Sequence, residues 1–183
     1  EIPNVTESGP NKKVYPEKVM FELNKLLTTE DFVVTEVGQN QMFAAHYLNI
    51  REPKTFITSG GLGTMGFGLP AAIGAKVAQP DAQVWLIAGD GSIQMNTHEL
   101  ATIKQHGIKL NIVILNNAYL GLVRQWQELF HEKRYAGTYL GFDNKGKKEY
   151  WPDFVKLAEA YGLSGIRVSN PKDVSKALKK AKA

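Results

Sequence analysis

Cysteine is missing from this chain of 183 residues, which excludes both a disulfide framework and a zinc-thiolate site. Histidine is sparse, with four copies. His98-Glu99 lacks the second histidine of a zinc-protease motif, and His46, His106 and His131 stand apart from one another. No serine or cysteine nucleophile motif is present. No apolar run approaches the ~18 residues that a membrane span needs, and no charged-then-apolar leader is visible. A cytoplasmic setting is therefore expected, or an organellar one in a eukaryotic source. Net charge is small, +4, and much of it comes from Lys172, Lys176, Lys179, Lys180 and Lys182. That stretch holds neither arginines nor aromatics, so it reads as a solvated helix face and not as a nucleic-acid surface.

What remains is the profile of a globular protein: 43% hydrophobic and 22% charged residues, in a chain long enough for one domain with a full core. Residues 1–13 are rich in Pro, Asn, Gly and charge and read as an interdomain linker; the compact domain is expected at 14–183. Pro16 suits a first helical turn, and Val19, Met20, Leu23, Leu26 and Leu27 recur at helical spacing. Strands are expected at 32–35 and 55–58, and helices at 41–47 and 67–77. The runs 84–88 and 112–115 are continuously apolar, as strands covered on both faces must be. The spacing predicts a helix with its turns over 93–108, a strand over 109–115, a helix at 153–161, a strand at 165–168 and a helix from Pro171. Residues 135–150 read as a loop. This alternation predicts an α/β fold, a doubly wound and mostly parallel sheet with helices on both faces. Because the chain ends on a helix, the last strand is expected to be lacking.

Two successive strand ends carry the chemistry. Gly89-Asp90-Gly91-Ser92 follows one apolar run and Asn116-Asn117 follows the next, which places an acid and a carboxamide side by side at the carboxyl edge of a parallel sheet. Mg²⁺ takes oxygen ligands in a near-octahedral shell that often includes phosphates. Asp90 offers a carboxylate oxygen, and Asn117 an amide oxygen that adds no charge beside an already anionic diphosphate. The pair reads as a site for a magnesium-bound diphosphate, with Ser92 opening a helix whose free amides favour an anion. An ordinary turn in which Asp90 caps the helix is the alternative for Gly-Asp-Gly alone. In the run 59–66, Gly61, Gly63 and Gly66 also satisfy the dinucleotide fingerprint, which leaves a dinucleotide-binding module without its own catalysis as a rival.

Glu36-Val37-Gly38-Gln39-Asn40-Gln41-Met42, the glycine-rich stretch 59–75, Gly89-Asp90-Gly91-Ser92, Asn116-Asn117 and Val123-Arg124-Gln125-Trp126-Gln127 together resemble the large subunit of acetohydroxyacid synthase (acetolactate synthase), over nearly the whole chain. The segments 123–130 and 59–74 carry most of the specificity. The resemblance implies the carboxy-terminal pyrophosphate domain of a thiamine-diphosphate fold. It implies Val37, Gly38, Gln39 and Asn40 near the diphosphate, and Asp90, Asn117 and the Tyr119 carbonyl on Mg²⁺. Gly63, Gly89, Gly91, Ser92, Gly121, Leu122 and Val123 belong to the implied cofactor wall. Met65 takes the place of a bulky apolar residue that wedges the cofactor into a bent shape, and Trp126 that of an aromatic near the second keto acid. Leu122 stands where relatives often carry methionine, a volume-conserving change.

The implied reaction decarboxylates pyruvate and ligates it to a second 2-keto acid, in branched-chain amino-acid biosynthesis. The glutamate that activates the cofactor belongs, in the family, to a pyrimidine-binding domain; Glu36 is not its counterpart. FAD is implied for the parent enzyme only, as are a homo-oligomer and a regulatory subunit. A split 2-keto acid decarboxylase would share the cofactor without the ligation.

Overall fold

The computed structural model describes residues 13–144 and 147–182, with side chains described outside 142–150. The expected linker lies outside the described residues apart from Lys13. Helix α1 (Pro16–Asn24) starts from an extended Tyr15 with Pro16 in its first turn, where a missing N–H costs nothing. Then follow β1 (Phe32–Thr35), α2 (Gln39–Tyr47), β2 (Phe56–Ile57), α3 (Gly68–Ala78), β3 (Val84–Gly89), α4 (Asp90–Ile93), α5 (Glu99–Gln105), β4 (Asn111–Leu115), α6 (Gly121–Phe130), β5 (Phe142–Asn144), β6 (Lys147–Tyr150), α7 (Phe154–Ala160) and α8 (Val174–Lys182).

Strands β2-β1-β3-β4 form one parallel sheet in that order. Its centre is β3, where Val84, Trp85, Leu86, Ile87 and Ala88 are all fully buried. Alternate side chains along a strand point to opposite faces, and the two sets enter separate cores. Trp85 and Ile87 join Val33 against α1, α2 and α8, while Val84, Leu86 and Ala88 join Val34 against α3 and α5. A strand apolar at every position is what two covered faces require. From β1 the chain steps outward to β2, then crosses back to β3 on the other side of β1. The strand order therefore reverses between β1 and β3, and a crevice opens above their carboxyl ends.

Three expectations need correction. The helix expected at 93–108 begins earlier, at Asp90, and breaks into α4, a 3₁₀ turn at Gln94–Asn96 and α5; the 3₁₀ turn is held by Asn96 Nδ2 donating to the Gly66 carbonyl at 2.6 Å. The expected strand at 165–168 forms no ladder. A Cβ on Gly165 would lie 3.0 Å from Val155 Cα, and Arg167 Nη2 donates to Asp153 Oδ1 at 2.6 Å, so this segment rests on α7 and stands off from β4. The loop expected at 135–150 contains the antiparallel pair β5-β6, and it is tied to the strand-end loop after β4 by Leu120 N–H donating to Thr138 O (2.7 Å) and Leu140 N–H to Ala118 O (2.9 Å).

The indole N–H of Trp85 is buried without a hydrogen-bond partner among the described residues. Trp85→Phe removes that orphan donor together with part of the ring, so its cost is expected at about 1 kcal/mol or less. Leu86→Ala, equally buried, is expected to cost about 2–5 kcal/mol. Denaturant unfolding of the two variants measures the difference, and equal losses would contradict this account of Trp85.

Candidate functional site

The sheet register assembles the site. Thr35 pairs with Ile87, and Gly89 with Leu115, so the chain leaves β1, β3 and β4 at neighbouring points. From the end of β1, Val37, Gly38, Gln39 and Asn40 enter α2. Asn40 Nδ2 donates to the carbonyls of Glu36 (2.8 Å) and Ile87 (3.0 Å) and so ties the two strand ends together. Gly38 has φ +143°, a conformation glycine adopts without steric cost.

After β3, Gly89, Asp90, Gly91 and Ser92 begin α4, with Ser92 Oγ 3.3 Å from both the N–H and the carbonyl of Gly89. The amides of Asp90, Gly91 and Ser92 thus head the helix; the expectation that Ser92 opens it is shifted by two residues. Asp90 is 4% exposed. Burial raises its pKa above the ordinary value, partly offset by backbone amides that include those of Ala118 and Asn117. The acid and carboxamide loops are brought together by the pairing of Gly89 with Leu115 and by Leu120, which lies 2.8 Å from where a Cβ on Gly91 would stand.

After β4 come two consecutive Asx turns: Asn116 Oδ1 accepts from Ala118 N–H (3.2 Å) and Asn117 Oδ1 from Tyr119 N–H (2.9 Å). Ala118 is left-handed, φ +62°, a costly state for a residue with a Cβ and one that concentrates at functional sites. Tyr119 bridges Tyr139, but the ladder bonds come from the neighbours Ala118 and Leu120, so Tyr119's own N–H and carbonyl face the other way. Gly121 opens α6 at a close approach: a Cβ there would overlap Gln39 Oε1 and lie 2.8 Å from Asn117 Nδ2. Arg124 stacks between Tyr135 (3.9 Å) and Tyr119 (4.6 Å) and fastens the first turn of α6.

Val37, Gly38, Gln39, Asn40, Gly63, Met65, Gly89 to Ser92, Asn117, Tyr119, Gly121, Leu122 and Val123 line one end of a long open cleft that also runs along β4 toward α7 and α8. Trp126 does not reach it; 55% exposed, it lies against Phe130 at 5.2 Å and lines a separate surface hollow with His131 and Arg134.

The sequence reading missed three participants. Glu36 is fully buried and accepts from the amides of Gly66 (2.8 Å) and Leu69 (3.1 Å), which pins the glycine-rich loop and Met65 to the end of β1. Burial raises its pKa against the pull of those amides. A single acid ending an apolar strand was the available signal. Leu120 and Leu140 close over Gly91, where an added Cβ would come within 2.8 and 3.1 Å of them; nothing local in the sequence marks Leu140.

These residues fit a hard cation with a diphosphate. The described residues contain no group of three or more His, Cys, Asp and Glu placed to hold a metal ion, so the donor set would be one buried carboxylate with neutral oxygens, and the phosphates would have to complete a Mg²⁺ shell. Asp90, without an ion-pair partner among the described residues, is the group such a cation would neutralise.

Residues 36–183 match the family model described as thiamine pyrophosphate enzyme, C-terminal TPP binding domain, and the chain belongs to that family. The family assignment sets aside the dinucleotide-module reading. The chain is 45% identical over 171 residues to the acetolactate synthase isozyme 3 large subunit of Escherichia coli (strain K12), and 46% identical over 168 residues to the acetolactate synthase of Mycobacterium leprae (strain TN). The probable acetolactate synthase large subunit of Methanococcus aeolicus is 44% identical over 173 residues. These alignments cover 92–93% of this chain but only 26–28% of the relatives' length. No helix among the described residues is long and apolar enough to cross a membrane.

The pKa of Asp90 in the folded chain lies above its unfolded value, so the folded state holds the extra proton between the two. Its contribution to stability is present below the unfolded value and is lost as pH rises through the folded one. Without divalent ions, Asp90→Asn is expected to be more stable than wild type at about pH 7, by a margin that shrinks toward about pH 4. Magnesium with thiamine diphosphate should reverse the order. Thermal unfolding across this range measures it, and a margin indifferent to pH would contradict a penalised buried carboxylate.

Proposed function

We propose that this chain is the cofactor-binding, carboxy-terminal domain of an acetolactate synthase large subunit, dependent on thiamine diphosphate and Mg²⁺. The carrying observation is the register that sets Gly89 level with Leu115, so that the loop of the buried Asp90 and the loop of Asn117 leave neighbouring strand ends. Asp90, the Asn117 amide oxygen and the Tyr119 carbonyl would hold Mg²⁺. Val37 to Asn40 and Gly89 to Ser92 would receive the diphosphate, which the glycines admit by leaving room for close approach. Bound thiamine diphosphate supplies the nucleophilic carbon and the electron sink for removing carbon dioxide from a 2-keto acid.

The chain's own part is placement and exclusion of water. Met65, held in place through the grip of Glu36 on its loop, would support the bent cofactor, with Gly63 leaving the backbone free to turn. Met65, Leu122 and Val123 would form an apolar surround that favours loss of a carboxylate, because charge there is poorly solvated in the ground state. Trp126 would meet the second keto acid once a further domain or subunit covers α6. The share of the relatives' length left unmatched leaves room for a pyrimidine-binding domain with the activating glutamate and for an FAD-holding domain. A homo-oligomer and a regulatory subunit complete the proposed assembly, in branched-chain amino-acid biosynthesis in the cytoplasm or an organelle.

Calorimetric titration is the direct test. Thiamine diphosphate is expected to bind only with a divalent ion present, and Asp90→Ala to abolish that binding. Binding that ignores magnesium would reject the site. The assembled enzyme should convert pyruvate to acetolactate; release of acetaldehyde alone would point to a split decarboxylase.

A further inference from the structure

Three carboxamides form a directed chain beside the proposed cation site. Gln39 Nε2 donates to Gln125 Oε1 at 3.0 Å, Asn117 Nδ2 donates to Gln39 Oε1 at 3.3 Å, and Asn117 Oδ1 accepts from the Tyr119 N–H at 2.9 Å. An amide side chain has one donating and one accepting end, so reversing any one of the three sets like against like at its neighbour. The Tyr119 end cannot reverse, because a backbone N–H only donates. Gln125, on α6 and not among the residues lining the cleft, is the other terminus.

We propose that Gln39 and Gln125 are positioning residues that fix the direction of the Asn117 amide, so that its oxygen and not its nitrogen is presented to the cation. This rests on the cofactor reading above. An amide oxygen has two lone pairs; one is used by Tyr119, and the second remains for a metal ion. An amide nitrogen offers none. Partners that orient a metal ligand without touching the metal change its affinity by about 10–100-fold when removed. The chain also couples the seating of α6 to the cation. Gly121 lets Gln39 lie across the first turn of α6, and one turn later Gln125 closes the chain.

The test compares Gln125→Met with Gln125→Glu in the full-length protein that carries this chain. Methionine keeps the length of the side chain but accepts no hydrogen bond from Gln39, whereas glutamate still accepts one. The readout is the Mg²⁺ concentration that half-saturates thiamine diphosphate binding by calorimetry, with thermal unfolding as the check that both variants fold. Gln125→Met is expected to raise that concentration about tenfold, and Gln125→Glu to leave it at or below the wild-type value. If Gln125→Met leaves it unchanged, or if both variants raise it alike while the wild type still requires magnesium, the positioning role is overturned and the cofactor reading stands. If the wild type itself binds thiamine diphosphate without magnesium, both fall together.

Discussion

The pairing of β3 between β1 and β4 is the constraint from which the site follows. Its register brings Thr35 level with Ile87 and Gly89 level with Leu115, so three segments far apart in sequence leave the sheet within one small region. The pairing is held by side chains that offer no alternative register. Every residue from Val84 to Ala88 is buried, and a slip by one position would move Trp85 and Ile87 into the core shaped for Val84, Leu86 and Ala88. Stability of the core and geometry of the cleft are consequently one property.

On this frame two carboxylates are buried at the sheet's edge with different partners. Glu36 is committed to the protein: the Gly66 and Leu69 amides use its oxygens, and its work is to hold a loop. Asp90 is compensated only in part, by neighbouring amides, and burial keeps its acidity weakened. The first is a structural clasp; the second is a buried carboxylate that the proposed cation would neutralise. Both glycine-rich turns serve the same end. Gly91 and Gly121 allow Leu120, Leu140, Gln39 and Asn117 to close around the region where a larger residue would collide.

Much of this was legible in the sequence because it was written locally. Continuous apolar runs marked the central strands, and glycines flanking an acid one strand before an Asn-Asn pair marked the site. What failed was decided by distant partners. The segment 165–168 has strand-like residues, yet Gly165 lets it settle on Val155 and Arg167 reaches Asp153, so it stands apart from the sheet. The early start of α4 depends on the turn at Gly89, and the β5-β6 ladder pairs residues that show no alternation. Leu140 reaches Gly91 only because its loop is bonded to Ala118.

The left-handed Ala118 sits between two of the proposed cation-holding residues, Asn117 and Tyr119. Its methyl is the smallest side chain that still opposes this backbone state. Variation at this position should consequently be one-sided: glycine and asparagine relax the turn, while valine, isoleucine or threonine force it to reopen. A laboratory selection run through this loop would thus meet a narrow corridor, open to glycine and to short side chains that bond their own backbone and closed to branching at Cβ.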